Sequence, residues 1–408
     1  MVEFIDTHKA NNRFDYLLIF YISLLVFGMY GGAFQPIRIF IVLFAPGTLL
    51  FFLKDRTIRA KYLYEIITFI IWIYYACITL VWVIDISSGL KEITYLLINF
   101  IGVLLFIRLS SQANNPIKTI IRGWLIFIVI TLPIAITELL YDKHLSMAIL
   151  DADSTIGGIG IAWKYASTTF GNYNSYNQVI VYSLPIIFSS LFIYTKAAKS
   201  LSIWIVIMLC ALIILTNGSR GSFLCLSITL IVFLFFLRKQ KVNNFGLSFF
   251  FLSLLVSIAY FGQNLFFLII LRAQQLGLTK DTSRTDIISA GLTRLKEHYF
   301  LGVGAGNFQI NLKYINNLLA TAPHNLFFEI LIQYGPIIAI MFLILLFRII
   351  VRTIYNPNII AKYIGITMLI IAPFATVIDS SYIEGVPVWI MIASLAIISD
   401  KQYYFEKT

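Results

Sequence analysis

Charged side chains are scarce in this sequence. Asp, Glu, Lys and Arg make up 12% of its 408 residues, whereas hydrophobic residues make up 60%. That is far more apolar surface than one water-soluble core could bury, so lipid must be the main solvent of the chain. The shortage of charge therefore excludes a soluble globular fold.

The apolar stretches also lack the alternation of polar and apolar residues that is typical of β-barrel strands. They are long and continuous, and a helix satisfies all its backbone N–H and C=O groups within one segment, as hydrocarbon requires. We therefore expect an all-α fold, a polytopic membrane helical bundle with about 12 transmembrane helices. The sequence shows no internal repeat or interdomain linker, so residues 1–408 are expected to form a single integral membrane domain.

Cysteine is rare and carries no recognisable chemistry. The three cysteines are Cys77, Cys210 and Cys225. All three fall inside apolar runs without the spacing of a metal site or a disulfide framework. We expect them to behave as small hydrophobic residues.

Twelve apolar stretches are long enough to be candidate spans. They are residues 15–33, 36–53, 66–84, 93–109, 121–140, 177–195, 201–216, 220–237, 246–270, 325–349, 360–378 and 383–400. The first twelve residues show no cleavage-site pattern, so the first run is expected to be a retained span rather than a signal peptide.

The distribution of Lys and Arg supports an even number of spans, because basic residues concentrate in cytoplasmic loops. They occur in alternate loops and in both tails: Lys54, Arg56, Arg59 and Lys61; Arg108, Lys118 and Arg122; Lys196 and Lys199; Arg238, Lys239 and Lys241; Arg348, Arg352 and Lys362; Lys9, Arg13, Lys401 and Lys407. Both termini are therefore predicted to be cytoplasmic. The net charge of +11 is attributed to contact with anionic lipid rather than with nucleic acid.

Two long segments, roughly 141–176 and 271–324, are predicted on the opposite, extracytoplasmic face. The second, between spans nine and ten, contains a plausible capping box at Ser283 to Asp286, followed by apolar residues at helical spacing. We expect a surface helix there. It should end before Gly302, Gly304 and Gly306, which favour a sharp turn.

Polar clusters on the predicted outer face are the candidate functional residues. Asn172 and Asn174 lie in a run of amides and hydroxyls at the entry to the sixth span, which would suit sugar hydroxyls or could simply cap a helix. His324 precedes the tenth span with Asn325 beside it. An imidazole there can take a proton from a hydroxyl near neutral pH, although a histidine at an interface is often only a polar anchor.

Two arginines are predicted at helix starts on the same face. Arg220 follows Thr216-Asn217-Gly218-Ser219, and Arg284 opens the surface helix. The N–H groups of a helix start favour anions, so the pair would suit a diphosphate. Each arginine could instead have a purely structural partner: Arg220 could reach a lipid phosphate, and Arg284 could pair with Asp286 or Glu297.

The ordered series of these motifs resembles the O-antigen ligase and O-antigen polymerase superfamily of bacterial envelope glycosyltransferases. The resemblance covers roughly residues 165–340, and the first 140 residues resemble the family only in hydropathy. Its elements are Gly171-Asn172-Tyr173-Asn174, Thr216-Asn217-Gly218-Ser219-Arg220-Gly221, Ser283-Arg284, Leu301-Gly302-Val303-Gly304-Ala305-Gly306-Asn307-Phe308, and His324-Asn325 followed by Gly335.

The resemblance implies a metal-independent, inverting glycosyltransferase in the bacterial inner membrane, without a cofactor. Its donor would be a glycan on undecaprenyl diphosphate, held by Arg220 and Arg284, with His324 activating the acceptor hydroxyl. Asn172, Asn174 and Asn325 are expected to contact substrate. The sequence departs from many relatives at Gln333, where they carry a glutamate.

The residues themselves agree with metal-independent chemistry. Fixed guanidinium groups can stabilise the charge that develops when a diphosphate leaves. A divalent cation would need clustered carboxylates, and the outer segments offer one such pair, Asp151 and Asp153, without other hard ligands nearby.

The sequence leaves two acceptors open. A polymerase would join repeat units of an O-antigen or capsule-type glycan, with a chain-length regulator protein as a further partner. A ligase would move the finished glycan to lipid A core or another surface acceptor. A third hypothesis, a polysaccharide transporter or lipid flippase, would place ionisable residues at mid-membrane, where this sequence has few.

Overall fold

The computed structural model describes residues 13–145, 164–237, 282–316, 324–379 and 382–401, with 247–248, 251–252, 255–256 and 403. The side chains of residues 282–285 and 313–316 are not among those described. The α-helices are α1 Arg13–Ser23, α2 Pro36–Lys54, α3 Arg56–Lys61, α4 Leu63–Thr79, α5 Ile86–Gln112, α6 Pro116–Tyr141, α7 Tyr173–Ser190, α8 Ala197–Thr216, α9 Arg220–Leu237, α10 Thr282–Glu297, α11 Phe308–Asn316, α12 Leu326–Ile354, α13 Ile359–Ala375 and α14 Val386–Ile398.

The described elements form a polytopic helical membrane protein. Among the described residues, six helices are long and apolar enough to cross a bilayer, namely α2, α5, α6, α8, α9 and α12, and three shorter apolar helices, α4, α13 and α14, accompany them. The expected ninth span, 246–270, lies almost entirely outside the described residues. The count of twelve therefore stays a prediction.

The first span is shorter than the predicted 15–33. Helix α1 ends at Ser23 and continues as a 3-10 helix from Leu24 to Phe27. Gly28, Gly31 and Gly32 follow with positive φ. Glycine adopts this region at little cost, so the chain turns here although its apolar composition continues.

Several helices begin before their apolar runs because an Asx side chain caps them. Asp85 accepts from the N–H of Ser87 at 2.9 Å and starts α5, and Asn115 accepts from that of Lys118 at 3.1 Å and starts α6. Such caps satisfy N–H groups that have no partner inside the helix. Hydropathy alone placed these two starts about five to seven residues too late.

Helix α14 forms the centre of the bundle. All of its residues except Pro387 are buried, and it packs against α5, α6 and α12. Trp389 contributes to an aromatic cluster with Phe69 and Trp72 of α4 and Phe342 of α12, with ring centroids 5.2 to 6.2 Å apart. A helix that is apolar on every side is stable only when surrounded in this way.

The loops that the structure describes segregate into two sets at opposite ends of the bundle. Loops predicted to be extracytoplasmic contact one another through Met29 and Thr169, Asp85 and Asn307, and Arg38 and Glu384. Segments predicted to be cytoplasmic do the same through Lys61 and Asp400, Arg352 and Glu65, and Arg122 and Tyr194. The alternation predicted from charge is thus compatible with the fold.

The predicted surface helix is present as α10, and the glycines after it form a docking turn against α12. Pro336 lacks the N–H that would bond the Ile332 carbonyl, and Gly335 leaves helical geometry with φ 73°. The N–H of Val303 bonds the Ile332 carbonyl at 2.9 Å, and that of Gly304 bonds the Gln333 carbonyl at 2.9 Å. The segment 282–316, predicted to be extracytoplasmic (the outer segment), thereby satisfies two carbonyls that the break in α12 releases.

The short helix α11 was not predicted from the sequence, which suggested a direct run to the next span. Its residues Phe308 and Leu312 pack with Ile287 of α10 and Phe328 of α12 in a separate apolar cluster. This cluster fixes the outer segment on the start of α12.

We expect Gly302→Ala to destabilise the protein far more than Gly32→Ala. Both glycines have positive φ, 88° and 56°, so both alanines carry the strain of about 1–2 kcal/mol of a left-handed residue. A Cβ on Gly302 would also lie 2.3 Å from the Gln333 carbonyl oxygen, whereas one on Gly32 meets nothing within 4 Å. Thermal unfolding in nanodiscs should show the larger fall in Tm for Gly302→Ala, and equal falls would contradict the docking turn.

Candidate functional site

The loop between α13 and α14, residues 376–385, is the point where the candidate functional elements meet; residues 380 and 381 are not among those described. The carbonyl of Thr376 accepts from the N–H of Leu326 at 3.0 Å. A carboxylate oxygen of Glu329 accepts from the N–H of Tyr382 at 3.2 Å. The first turn of α12 is therefore fixed to this α13–α14 loop at two points.

His324 lies directly before that first turn. It is half-buried and has a left-handed backbone, with φ 45°, which is uncommon for a residue with a Cβ. Asn325 beside it caps α12, since its side-chain oxygen accepts from the N–H of Phe328 at 3.0 Å. This cap uses the side-chain oxygen of Asn325 and not its amide nitrogen.

Arg220 borders the same α13–α14 loop. It is the first residue of α9, and its side chain is exposed. A Cβ on the adjacent Gly221 would lie 3.5 Å from Ile378 and 3.9 Å from the carbonyl oxygen of Phe374. The start of α9 thus packs against one side of the loop while the start of α12 bonds to it, which brings the neighbourhoods of Arg220 and His324 together.

The turn before Arg220 is held in place by Asn217. Its side chain accepts from the N–H of Ala166 at 2.7 Å and donates to the carbonyl of Ala166 at 3.0 Å. It also donates to the side-chain oxygen of Asn177 at 2.9 Å. The side chain of Asn217 therefore anchors the α8–α9 turn to the segment that leads into α7.

Arg284 is the third residue of α10, and its side chain lies outside the described residues. Further along α10, Ile287 and Ala290 pack with Phe328 and Ile332 of α12. A Cβ on Gly291 would lie 2.8 Å from the Phe328 ring. Helix α10 therefore lies against the first two turns of α12, the helix that His324 and Asn325 precede.

Asn172 and Asn174, two of the three asparagines predicted to contact substrate, have different surroundings. Asn172 caps α7 by accepting from the N–H of Asn174 at 2.7 Å, and it lines a cavity of about 250 Å³. Asn174 is half-buried in the first turn of α7 and is not one of the described residues that line this cavity. The cavity lies between α2, α7 and the α13–α14 loop, and its polar lining residues are Gln35, Arg38, Asn172, Ser175, Gln178, Asp379, Tyr382 and Glu384.

Sequence reasoning missed Arg38, the third residue of α2. It is buried, its guanidinium lies 3.8 Å from the centre of the Tyr95 ring, and it donates to the carbonyls of Gly32 at 3.1 Å and Glu384 at 2.9 Å. The sequence did contain a signal for it. Arg38 is a single basic residue inside the apolar run 36–53, at the end of that run that lies away from the basic loop. That position is costly in a bilayer unless the charge is used.

Sequence reasoning also missed the contacts of three buried carboxylates near the same end of the bundle. Glu92 accepts a hydrogen bond from the Tyr334 hydroxyl, Glu329 holds the Tyr382 N–H, and Glu138 accepts from the N–H groups of Ser167 and Thr168 at 2.7 and 2.8 Å. Each lies within two turns of a helix end. Among the described residues, no group of three or more His, Cys, Asp or Glu is placed to hold a metal ion.

The O-antigen ligase family model matches residues 205–343, from the second half of α8 to the middle of α12. This range contains Arg220, Arg284, the glycine turn and His324. The chain is also 24% identical over 295 residues to the teichuronic acid biosynthesis protein TuaE of Bacillus subtilis (strain 168). That alignment covers 67% of this chain and 57% of the relative, so the chain matches little more than half the relative's length. Together these matches confirm the resemblance of this helical membrane protein to the O-antigen ligase and O-antigen polymerase superfamily.

Proposed function

We propose that this protein is a membrane glycosyltransferase that polymerises lipid-linked repeat units of an O-antigen or capsule-type glycan on the extracytoplasmic face. The donor is a glycan on undecaprenyl diphosphate, and the acceptor is a second lipid-linked unit. One observation carries the proposal: the starts of α9 and α12, which hold Arg220 and His324, meet at the α13–α14 loop inside a domain similar to O-antigen ligases.

His324 acts as the general base. It takes the proton of the acceptor hydroxyl, whose oxygen bonds to the anomeric carbon as the bond from that carbon to the diphosphate oxygen breaks. The leaving undecaprenyl diphosphate keeps the electron pair. Attack from the face opposite the diphosphate inverts the configuration. Asn325 caps the start of α12, and the N–H of Leu326 bonds the Thr376 carbonyl. Both contacts support a fixed position for the His324 imidazole.

Arg220 and Arg284 bind the diphosphate and stabilise the charge that develops on it. The exposed side chain of Arg220 supports contact with a ligand that arrives from the lipid headgroup region. A guanidinium binds two phosphate oxygens at once and keeps its charge at all working pH values. Two such groups can replace a divalent cation, so we propose that the reaction needs no metal.

A ligase is the second candidate, because the matching family model carries that description. It would use the same arginines and histidine and differ in the acceptor, lipid A core or another surface molecule. A polymerase would in addition work with a chain-length regulator protein. A transporter or flippase is disfavoured, because the buried ionisable residues described above lie near helix ends rather than at mid-membrane.

We expect Arg220→Ala, Arg284→Ala and His324→Ala each to abolish glycan chain extension, because each removes a charge-stabilising or proton-accepting group. The measurement is the surface glycan ladder of cells that carry each variant at normal membrane levels. Arg294→Ala and His298→Ala are matched controls from the same outer segment. Burial and the charge of Arg294 lower the pKa of His298 below that of a free imidazole. Normal ladders in all three test variants would end the enzymatic proposal.

Arg284→Lys should remain poorly active, whereas Arg294→Lys should be close to normal. A lysine keeps the charge but cannot reproduce the planar fork that binds two phosphate oxygens. Arg294 pairs with Glu297, and an exposed ion pair of that kind is worth about 0–1 kcal/mol. Initial rates of polymer formation in membranes should separate the two. Equal rates would indicate that Arg284 contributes charge alone.

Deletion of the gene should distinguish the two acceptors. A polymerase mutant retains single repeat units on the surface acceptor, because export and ligation continue. A ligase mutant accumulates long chains on the carrier lipid. Electrophoresis of surface glycan together with extraction of carrier-linked glycan gives the answer, and long carrier-linked chains would replace the polymerase proposal with the ligase.

A further inference from the structure

The cavity between α2, α7 and the α13–α14 loop offers hydrogen-bonding groups of both kinds. Arg38, Gln178 and Asn172 supply donors, and the carboxylates of Asp379 and Glu384 supply acceptors. A phosphate can use only the donors. A sugar ring uses both, because each hydroxyl accepts and donates.

Two residues that line this cavity carry a donor nitrogen without a hydrogen-bond partner among the described residues. Gln178 is buried, and its amide nitrogen has no hydrogen bond to any described part of the chain. The same holds for the Nε of Arg38 within the described residues, although its two terminal nitrogens bind carbonyls. Buried donors are normally satisfied, and the terminal torsion of a glutamine is soft enough to turn its amide toward a ligand.

The rest of the lining is apolar. Leu25, Met29, Phe170, Val179 and Val388 line the same cavity as the polar groups. A pyranose ring presents C–H faces as well as hydroxyl edges. A pocket that is mainly apolar with a few directed polar groups matches that pattern, as in small-molecule sites generally.

The charges of the lining argue against an anion. Arg38 is the one cation among the described lining residues, and Asp379 and Glu384 both carry carboxylates. The guanidinium is also engaged by the Tyr95 ring and two carbonyls. Lys91 pairs with Glu384 at 3.4 Å, so a diphosphate would face the like charge of Asp379 and a partly compensated Glu384, which disfavours its binding.

We infer that this cavity binds one neutral sugar ring of the lipid-linked glycan, with Gln178 and Arg38 donating to ring or hydroxyl oxygens and Asp379 and Glu384 accepting from hydroxyls. The inference rests on the proposed function. The α13–α14 loop then joins two regions, a sugar region lined by Asp379 and Tyr382 and a transfer region beside Leu326 and Glu329.

The test is saturation-transfer NMR on the full-length protein in nanodiscs, with glucose, N-acetylglucosamine and glucuronate as separate probes. Wild type should give saturation transfer to at least one of the neutral sugars and weaker transfer to glucuronate. Gln178→Leu should weaken the binding of the neutral sugar by about tenfold, the effect of one lost hydrogen bond. Arg38→Met should weaken it at least as much.

Matched controls come from the same helices or the same residue type. Arg108→Met removes another arginine whose Nε also lacks a hydrogen bond among the described residues and whose guanidinium lies 5.8 Å from the Phe51 ring, at the other end of α2. Ser183→Ala removes a buried hydroxyl of α7 that bonds the Ile180 carbonyl of its own helix. Both should leave sugar binding unchanged.

Three results would overturn the inference: no transfer to either neutral sugar, stronger binding of glucuronate than of both neutral sugars, or wild-type binding by Gln178→Leu. These outcomes differ from failure of the proposed function. Loss of the glycan ladder in the His324 and arginine variants, together with unchanged sugar binding by Gln178→Leu, would retain the transferase and reject only this cavity. Sugar binding by the wild type, together with normal ladders in the His324 and arginine variants, would retain the sugar site and reject the transferase.

Discussion

The fold depends on the rule that backbone polar groups in a bilayer must find partners inside the protein, and α12 shows how this chain meets it. Pro336 and Gly335 interrupt the helix and release the carbonyls of Ile332 and Gln333. The N–H groups of Val303 and Gly304 bind both. In hydrocarbon each unsatisfied group costs several kcal/mol, so the break and the glycine turn stabilise each other as a pair. The outer segment is consequently part of the bundle rather than a loop lying over it.

The glycine turn after α10 is also bonded to the residues that directly precede α5. The ring N–H of Trp82 donates to the Gly302 carbonyl at 3.0 Å, and Asn307 exchanges hydrogen bonds with the backbone of Asp85 at 2.8 and 2.9 Å. The segment that carries α10 is thereby tied to both α5 and α12. Since α10 packs on the first turns of α12, the position of the Arg284 backbone along the bundle is set by contacts that begin at Ile287, about one turn further along α10.

Hydropathy and charge together predicted a polytopic helical membrane protein, because lipid exposure acts on every residue of a span, and the sidedness of the loops stays a prediction. They did not predict where spans begin, because Asp85 and Asn115 cap helices through local geometry that hydropathy does not record. The motif order located the starts of α9, α10 and α12. It could not show that the glycine motif and Asn217 serve as structural clamps, because both functions depend on partners 29 to 222 positions away along the chain. Arg38 was missed for the same reason: its carbonyl partner belongs to Glu384, 346 positions away.

Arg38 and Arg220 lie in different surroundings, which suit different kinds of ligand. Arg38 is buried, faces the Tyr95 ring and gives two of its nitrogens to carbonyls, so its charge is largely compensated before any ligand arrives. Arg220 is exposed at a helix start, where the adjacent N–H groups add to its positive field instead of reducing it. A guanidinium of the first kind suits a neutral, hydroxyl-rich partner, and one of the second kind suits phosphates. Both environments border the single loop between α13 and α14. In the proposed reaction, a substrate with a sugar on one side and a diphosphate on the other contacts both, and its anomeric carbon faces the acceptor hydroxyl that His324 activates.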